Sequence, residues 1–140
     1  MIIDYEGNLS DAQDETTMTT HISDNVIDLQ AIGRRIVEPW WYVFRIDTAI
    51  TTGSSATLQI QMVTSAAVGL GTATVLWDSG TIASATVVAW TINSVPYVIP
   101  VTYNGTLLRY FGAIYTIGTG TFTAGKWDML RVVNPPNPIV

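Results

Sequence analysis

Thr57-Leu58-Gln59-Ile60-Gln61-Met62 alternates apolar and polar side chains without a break. Successive side chains of an extended chain leave opposite faces, so Leu58, Ile60 and Met62 share one face while Gln59 and Gln61 share the other. A half-buried strand reads this way and an amphipathic helix does not. The same period governs Trp40-Trp41-Tyr42-Val43-Phe44-Arg45-Ile46-Asp47, where Trp40, Tyr42, Phe44 and Ile46 line one face and Arg45 and Asp47 the other. Pro39 stands just before this run, a position that suits the start of a strand.

Further strands are expected on both sides. Thr74–Trp77 is closed by an Asp78-Ser79-Gly80 turn. Thr86–Ile92 would place Val88, Trp90 and Ile92 together, and Tyr97–Tyr103 would do the same for Tyr97, Ile99, Val101 and Tyr103. Pro100 assigns that second run to a sheet edge, because proline cannot donate to a ladder. Asn104-Gly105 then predicts a hairpin into Leu107–Ile117. Both faces of Leu107–Ile117 are apolar, so something must cover its second side, either the N-terminal segment or a neighbouring subunit. Gly118–Gly125 reads as a loop and Lys126–Val133 as the last strand, with Asn25–Leu29 as the first. About eight short strands with frequent turns define an all-β sandwich or barrel in a single domain, residues 1–140.

Composition agrees. Thr (20), Ile (15) and Val (14) dominate the 140 residues, while Lys and Glu together supply four. Strand formers therefore far outweigh helix formers. There is no cysteine and one histidine, which excludes a disulfide scaffold and a structural zinc site. No apolar stretch approaches the ~18 residues of a membrane helix. The acidic start, Met1-Ile2-Ile3-Asp4-Tyr5-Glu6, is unlike a signal peptide.

Charge is sparse at 12%, against ~25% in an average soluble domain. Weak charge with 48% apolar residues points to a surface that partners cover, the alternative being a well-packed monomer whose surface is mostly Thr, Ser and Asn. Residues 1–28 hold seven acids and no base; the remainder holds four acids and six bases, so the two segments are −7 and +2. With one Lys and five Arg, the chain lacks the basic face that nucleic acid requires. Residues 1–24 show no sustained period and read as an acidic arm or lead-in. Asn134-Pro135-Pro136-Asn137-Pro138-Ile139-Val140 reads as an extended tail.

Gly120-Thr121-Phe122-Thr123-Ala124-Gly125-Lys126 has the spacing of a phosphate loop, but Trp127 stands where a metal-binding hydroxyl belongs and a strand pattern follows. It reads as a glycine loop, with no nucleotide. His21 lacks a nucleophile in any recognisable setting, and the clustered N-terminal acids are poorly placed for glycoside hydrolysis. No catalytic, cofactor or metal residue is assigned, and the chain is not expected to be an enzyme. Trp40, Tyr42 and Trp90 fall on core faces; Trp41 and Trp127 fall less clearly inward and are candidates for contacts.

The sequence resembles the capsid cement (decoration) proteins of tailed bacteriophages over nearly its whole length. The likeness lies in Met1-Ile2-Ile3-Asp4, Leu9-Ser10-Asp11-Ala12-Gln13, Asn25-Val26-Ile27-Asp28-Leu29 and Ala56-Thr57-Leu58-Gln59-Ile60-Gln61. It continues in Asp78-Ser79-Gly80-Thr81-Ile82 and Leu108-Arg109-Tyr110, and is most specific in Gly118-Thr119-Gly120-Thr121-Phe122-Thr123-Ala124-Gly125-Lys126. The resemblance implies a jelly-roll-like β-sandwich, a homotrimer, and a place on the outer surface of the virion after synthesis in the host cytoplasm. The partner would be the major capsid protein, with capsomers tied together and no membrane involved. Capsid contact is expected of the arm, at Ile2, Ile3, Asp4, Tyr5, Leu9, Asp11 and Gln13. Subunit or capsomer contact is expected of Trp41, Trp127, Pro135, Pro136 and Pro138. The rival expectation is a carbohydrate- or receptor-binding β-sandwich module of a phage fibre or surface.

Overall fold

The computed structural model describes residues 3–14, 16–17, 19–30, 40–102, 107–133 and 135. The strands are β1 (Ile3–Asp4), β2 (Ser10–Asp14), β3 (Thr20–Ile22), β4 (Ile27–Asp28), β5 (Trp40–Thr52), β6 (Thr57–Ser65), β7 (Thr74–Asp78), β8 (Tyr97–Val101), β9 (Tyr110–Gly118) and β10 (Phe122–Val132). One short helix, α1 (Ser84–Val88), lies between β7 and β8. They form two antiparallel five-stranded sheets. One runs β1-β10-β5-β8 with β2 also on β10; the other runs β3-β9-β6-β7 with β4 also on β9. Taking β1 with β2 and β3 with β4 as two interrupted strands leaves eight, in the order of a jelly roll. The expected all-β sandwich is the observed fold.

The alternating runs behave as their period requires. Tyr42, Phe44 and Ile46 on β5 and Leu58, Ile60 and Met62 on β6 are all sealed between the sheets. Facing them are Phe111, Ala113, Tyr115 and Ile117 on β9 and Trp127 and Met129 on β10. Gln59 and Gln61 point outward, and their side-chain amides donate to the Asp78 carboxylate at 2.8–3.0 Å. Partial burial works against ionisation of Asp78, but the donors from Gln59, Gln61 and the Gly80 amide outweigh it and hold the carboxyl below its ordinary value. Pro100 does lie on an edge strand, since among the described residues β8 pairs only with β5.

Four expectations need correction. The predicted strand Thr86–Ile92 is instead α1 and a turn. Val87 is its buried residue, and α1 packs on both β5 and β6, so tertiary contact overrides the strand preference of Thr86, Val87 and Val88. Asn104-Gly105 lies outside the described residues, but the strands on either side, β8 and β9, belong to different sheets, so no hairpin joins them. An Asn-Gly pair favours a tight turn; it does not fix which strands pair. Gly118–Gly125 is only briefly a loop: β10 begins at Phe122 and reaches Lys126 through register shifts against β5. Gly125 sits there at φ +139°, where a Cβ would come within 2.8 Å of Ile50, so the glycine serves the strand and no helix follows it. Finally, residues 3–14 are not a free arm, because β1 and β2 both pair with β10.

The doubly apolar strand β9 does receive a second cover. Behind Gly112, a Cβ would meet Leu70 at 2.8 Å, Ser23 at 3.2 Å and Val26 at 3.5 Å. The N-terminal segment and the loop after β6 therefore close over the outside of this sheet.

Candidate interaction surfaces

The residues expected to grip a shell separate into two groups. Leu9 is fully buried in the main core, and Ser10 and Gln13 are buried beside it. Gln13 stands opposite Trp127 in register. The Gln13 side chain accepts from Ser10 Oγ and from the Asp24 amide at 3.2 Å, and donates to Ile22 O at 2.9 Å. Ser10 Oγ also meets Tyr115 Oη at 2.9 Å. Leu9 and Gln13 therefore hold the two sheets together along one side of the sandwich and cannot reach a partner. Trp127 is likewise corrected: it is 0% exposed and packs against Phe44, Tyr115 and Phe122.

Other candidates do lie at the surface. Asp11 and Asp14 are exposed on β2, and Asp24 is exposed after β3. Burial, reinforced by the charge of Asp11, pushes the Asp24 carboxyl up. Ile3 and Trp41 are half-buried in one row across the first sheet, each opposite Val132. They pack on a second apolar cluster, Val43, Val95, Leu130 and Val132, on the outward side of that sheet. Pro135 is half-buried beyond β10. Asp4 sits in β1 opposite Arg131, and Tyr5 begins a single 3-10 turn. Ile2, Pro136 and Pro138 lie outside the described residues.

Below the second cluster, Arg45 and Asp128 form a cross-strand pair. Asp128 is fully buried, with Arg45 Nη2 at 2.6 Å and Nε at 2.8 Å from one carboxylate oxygen. The other oxygen accepts the Ala12 amide at 2.7 Å. Ala12 makes this contact from a bulge in β2 at φ +51°, a conformation that costs a non-glycine residue about 1–2 kcal/mol. Removing the carboxylate strands the Ala12 amide and the inner edge of the guanidinium. Asp128→Ala should thus cost about 1–3 kcal/mol, read from urea unfolding midpoints, with Asp128→Asn in between.

At one end of the sandwich a cleft of about 550 Å³ is lined by Ile27, Asp28, Leu29, Gln30, Trp40 and Arg131. Arg131 lies 5.1 Å above the Trp40 ring, and Phe111 meets that ring edge-on at 5.4 Å. Trp40 is thus engaged within the protein and does not present the free ring that sugar stacking uses. Asp28 is gripped by Arg109 at 2.8–2.9 Å, which holds its carboxyl down at about 2. On β3, His21 Nε2 meets Thr17 Oγ1 at 3.0 Å. Among the described residues, no three His, Asp or Glu side chains gather as a metal ion would need.

Sequence reading missed the apolar residues that remain in solvent: Ile22, Val68, Val75, Val88, Ile92 and Val133. A hydrophobic residue in a short strand or loop carries no sign of which side faces water, so only the assembled sheets could separate these from the core. No curated protein matches the chain. A family model described as Bbp16 matches residues 9–130, a span that runs from the end of the first 3-10 turn into the last strand and takes in both sheets. The chain belongs to the Bbp16 family.

Proposed function

We propose that this protein is a structural component of a tailed-bacteriophage head, which attaches to the outside of the major capsid protein lattice and cements adjacent capsomers. The observation that carries the reading is the division of its surface. Exposed carboxylates, Asp11, Asp14 and Asp24, line one side, while apolar side chains stand in solvent elsewhere on a chain with few charges. Such a surface suits docking by charge at one place and by burial at another. The sequence resemblance to cement proteins, the jelly-roll strand order and the sealed core support the same conclusion. Attachment then falls to the outward carboxylates of β2 and the turn after β3, rather than to a flexible arm. Repetition over a symmetric shell multiplies modest individual contacts.

The test is cosedimentation of the purified protein with undecorated heads. Saturable pelleting is expected, and it should weaken as salt rises, because exposed carboxylates meeting basic residues are screened within ~8 Å at physiological ionic strength. Asp11→Asn with Asp14→Asn should reduce it further. Protein that stays in the supernatant with heads at every salt concentration overturns the proposal.

A further inference from the structure

Ile22, Ile114, Gln61 and Asp78 stand in one register row across β3, β9, β6 and β7. Two residues along, Thr20, Thr116 and Gln59 form a second row. Residues paired across antiparallel strands share a face of the sheet. Tyr115 and Ile60, which lie between the two rows, are sealed in the core, so both rows face outward. Further along this face, Leu70, Ser23 and Val26 lie over Gly112 and close it. The part that carries the two rows is open: Ile22 is 40% exposed, and Thr20 and Asp78 are exposed beside it.

Asp78 is held differently from Asp28 and Asp128. Those two carboxylates each meet an arginine, Arg109 and Arg45. The donors at Asp78 are all neutral: Gln59 Nε2 at 2.9 and 3.0 Å, Gln61 Nε2 at 2.8 Å and the Gly80 amide at 2.7 Å. No Lys, Arg or His occurs in the sequence between Arg45 and Arg109. Among the described residues no ion pair neutralises Asp78. Partial burial disfavours its charge, yet the neutral donors hold the carboxyl below its ordinary value, so the charge persists at neutral pH. With their amide nitrogens committed to Asp78, Gln59 and Gln61 keep their side-chain carbonyls as acceptors. The open patch thus combines acceptors, one uncompensated negative charge and the apolar side chains of Ile22 and Ile114.

We propose that this open part of the second sheet, centred on Ile22, Gln59, Gln61, Ile114 and Asp78, docks a protein surface that presents an arginine beside an apolar side chain. Charge complementarity chooses the occupant. A guanidinium supplies the cation that the fold withholds from Asp78, and its N–H groups serve the two glutamine carbonyls. The row from Ile22 to Asp78 crosses three strand spacings, ~14 Å, so the apolar contact forms beside the charged one and screens it from water. The inference rests on the reading that the protein attaches to a shell. It adds a second contact to that reading, on the other sheet from Asp11 and Asp14.

Cosedimentation of the full chain with undecorated heads, at several salt concentrations, tests it. The wild type should pellet saturably. Asp78→Asn should weaken the apparent affinity about tenfold and flatten its dependence on salt. Gln61→Lys should weaken it as much, because its ammonium neutralises Asp78 within the protein as Arg109 neutralises Asp28. Ile22→Asn should weaken it without changing the salt dependence. Circular dichroism checks that each variant is folded, and Gln61→Lys carries the test if Asp78→Asn fails to fold. Asp47→Asn removes one charge from β5 on the other sheet and should bind as the wild type does. A wild type that stays in the supernatant overturns this inference and the shell reading together. A wild type that pellets, with folded Asp78→Asn or Gln61→Lys pelleting equally well, overturns this inference alone. So does an equal loss from Asp47→Asn, which would show that only net charge counts.

Discussion

Trp127→Ala should cost about 3–5 kcal/mol, the largest loss expected from any single truncation in this chain. Trp127 has no exposed surface and joins both sheets: its ring lies 5.4 Å from Tyr115 on β9, 5.8 Å from Phe44 on β5 and 6.5 Å from Phe122 at the start of β10. Three aromatic contacts and a complete burial are lost together, and rigid strands on both sides cannot collapse into the space. Against a total stability of about 5–15 kcal/mol, such a loss leaves a barely folded protein. Trp127→Phe should retain most of the packing. It loses no hydrogen bond either, because the indole Nε1 has no partner among the described residues. Urea unfolding of the two variants checks the claim. If Trp127→Ala unfolds within about 1 kcal/mol of wild type, Trp127 is a surface contact after all and the core assignment fails.

Deleting residues 1–13 should abolish cooperative unfolding altogether. The deletion removes β1 and nearly all of β2, and with them Leu9, whose burial alone is worth about 2–5 kcal/mol. It also strips the Asp128 carboxylate of the Ala12 amide, the Arg131 amide of Asn8 Oδ1 at 3.0 Å, and the Asn25 amide of Leu9 O at 2.8 Å. The margin of β10 would lie bare, and with it an apolar edge prone to aggregate. A disposable arm predicts the opposite: a compact truncated protein that merely fails to bind. Thermal melting followed by circular dichroism separates the two, and a sharp transition within a few degrees of wild type would falsify the structural role.

The difference between those expectations shows what the sequence could reveal. Thr57–Met62 and Trp40–Ile46 were legible because long central strands bury one whole face and so carry a clean period of two. The strands of the first 28 residues have two, five, three and two residues. No period can develop over such lengths. The bulge at Ala12 shifts the phase within the longest of them, while its outward acids resemble those of a solvated arm. Asp128 and Trp127 are adjacent and both buried, one under the bulge and one in the core, a pairing that alternation disguises as one inward and one exposed residue. Thr86–Ile92 misled in the other direction, since β-branched residues can be held in one helical turn when Val87 has a pocket to fill. The exposed carboxylates could be read from composition alone.

The pairing of Ile3 with Val132 and Asp4 with Arg131 has a consequence for the making of the protein. β1 must wait for β10, which lies more than a hundred residues further along the chain, since β10 is the scaffold of its sheet and the partner of β1, β2 and β5 alike. Most of the contacts join distant parts of the chain, which slows folding and delays closure of the sandwich until β10 has been made. Until β10 is made, the core faces of the earlier strands stay unburied, and the sandwich closes in a single late step.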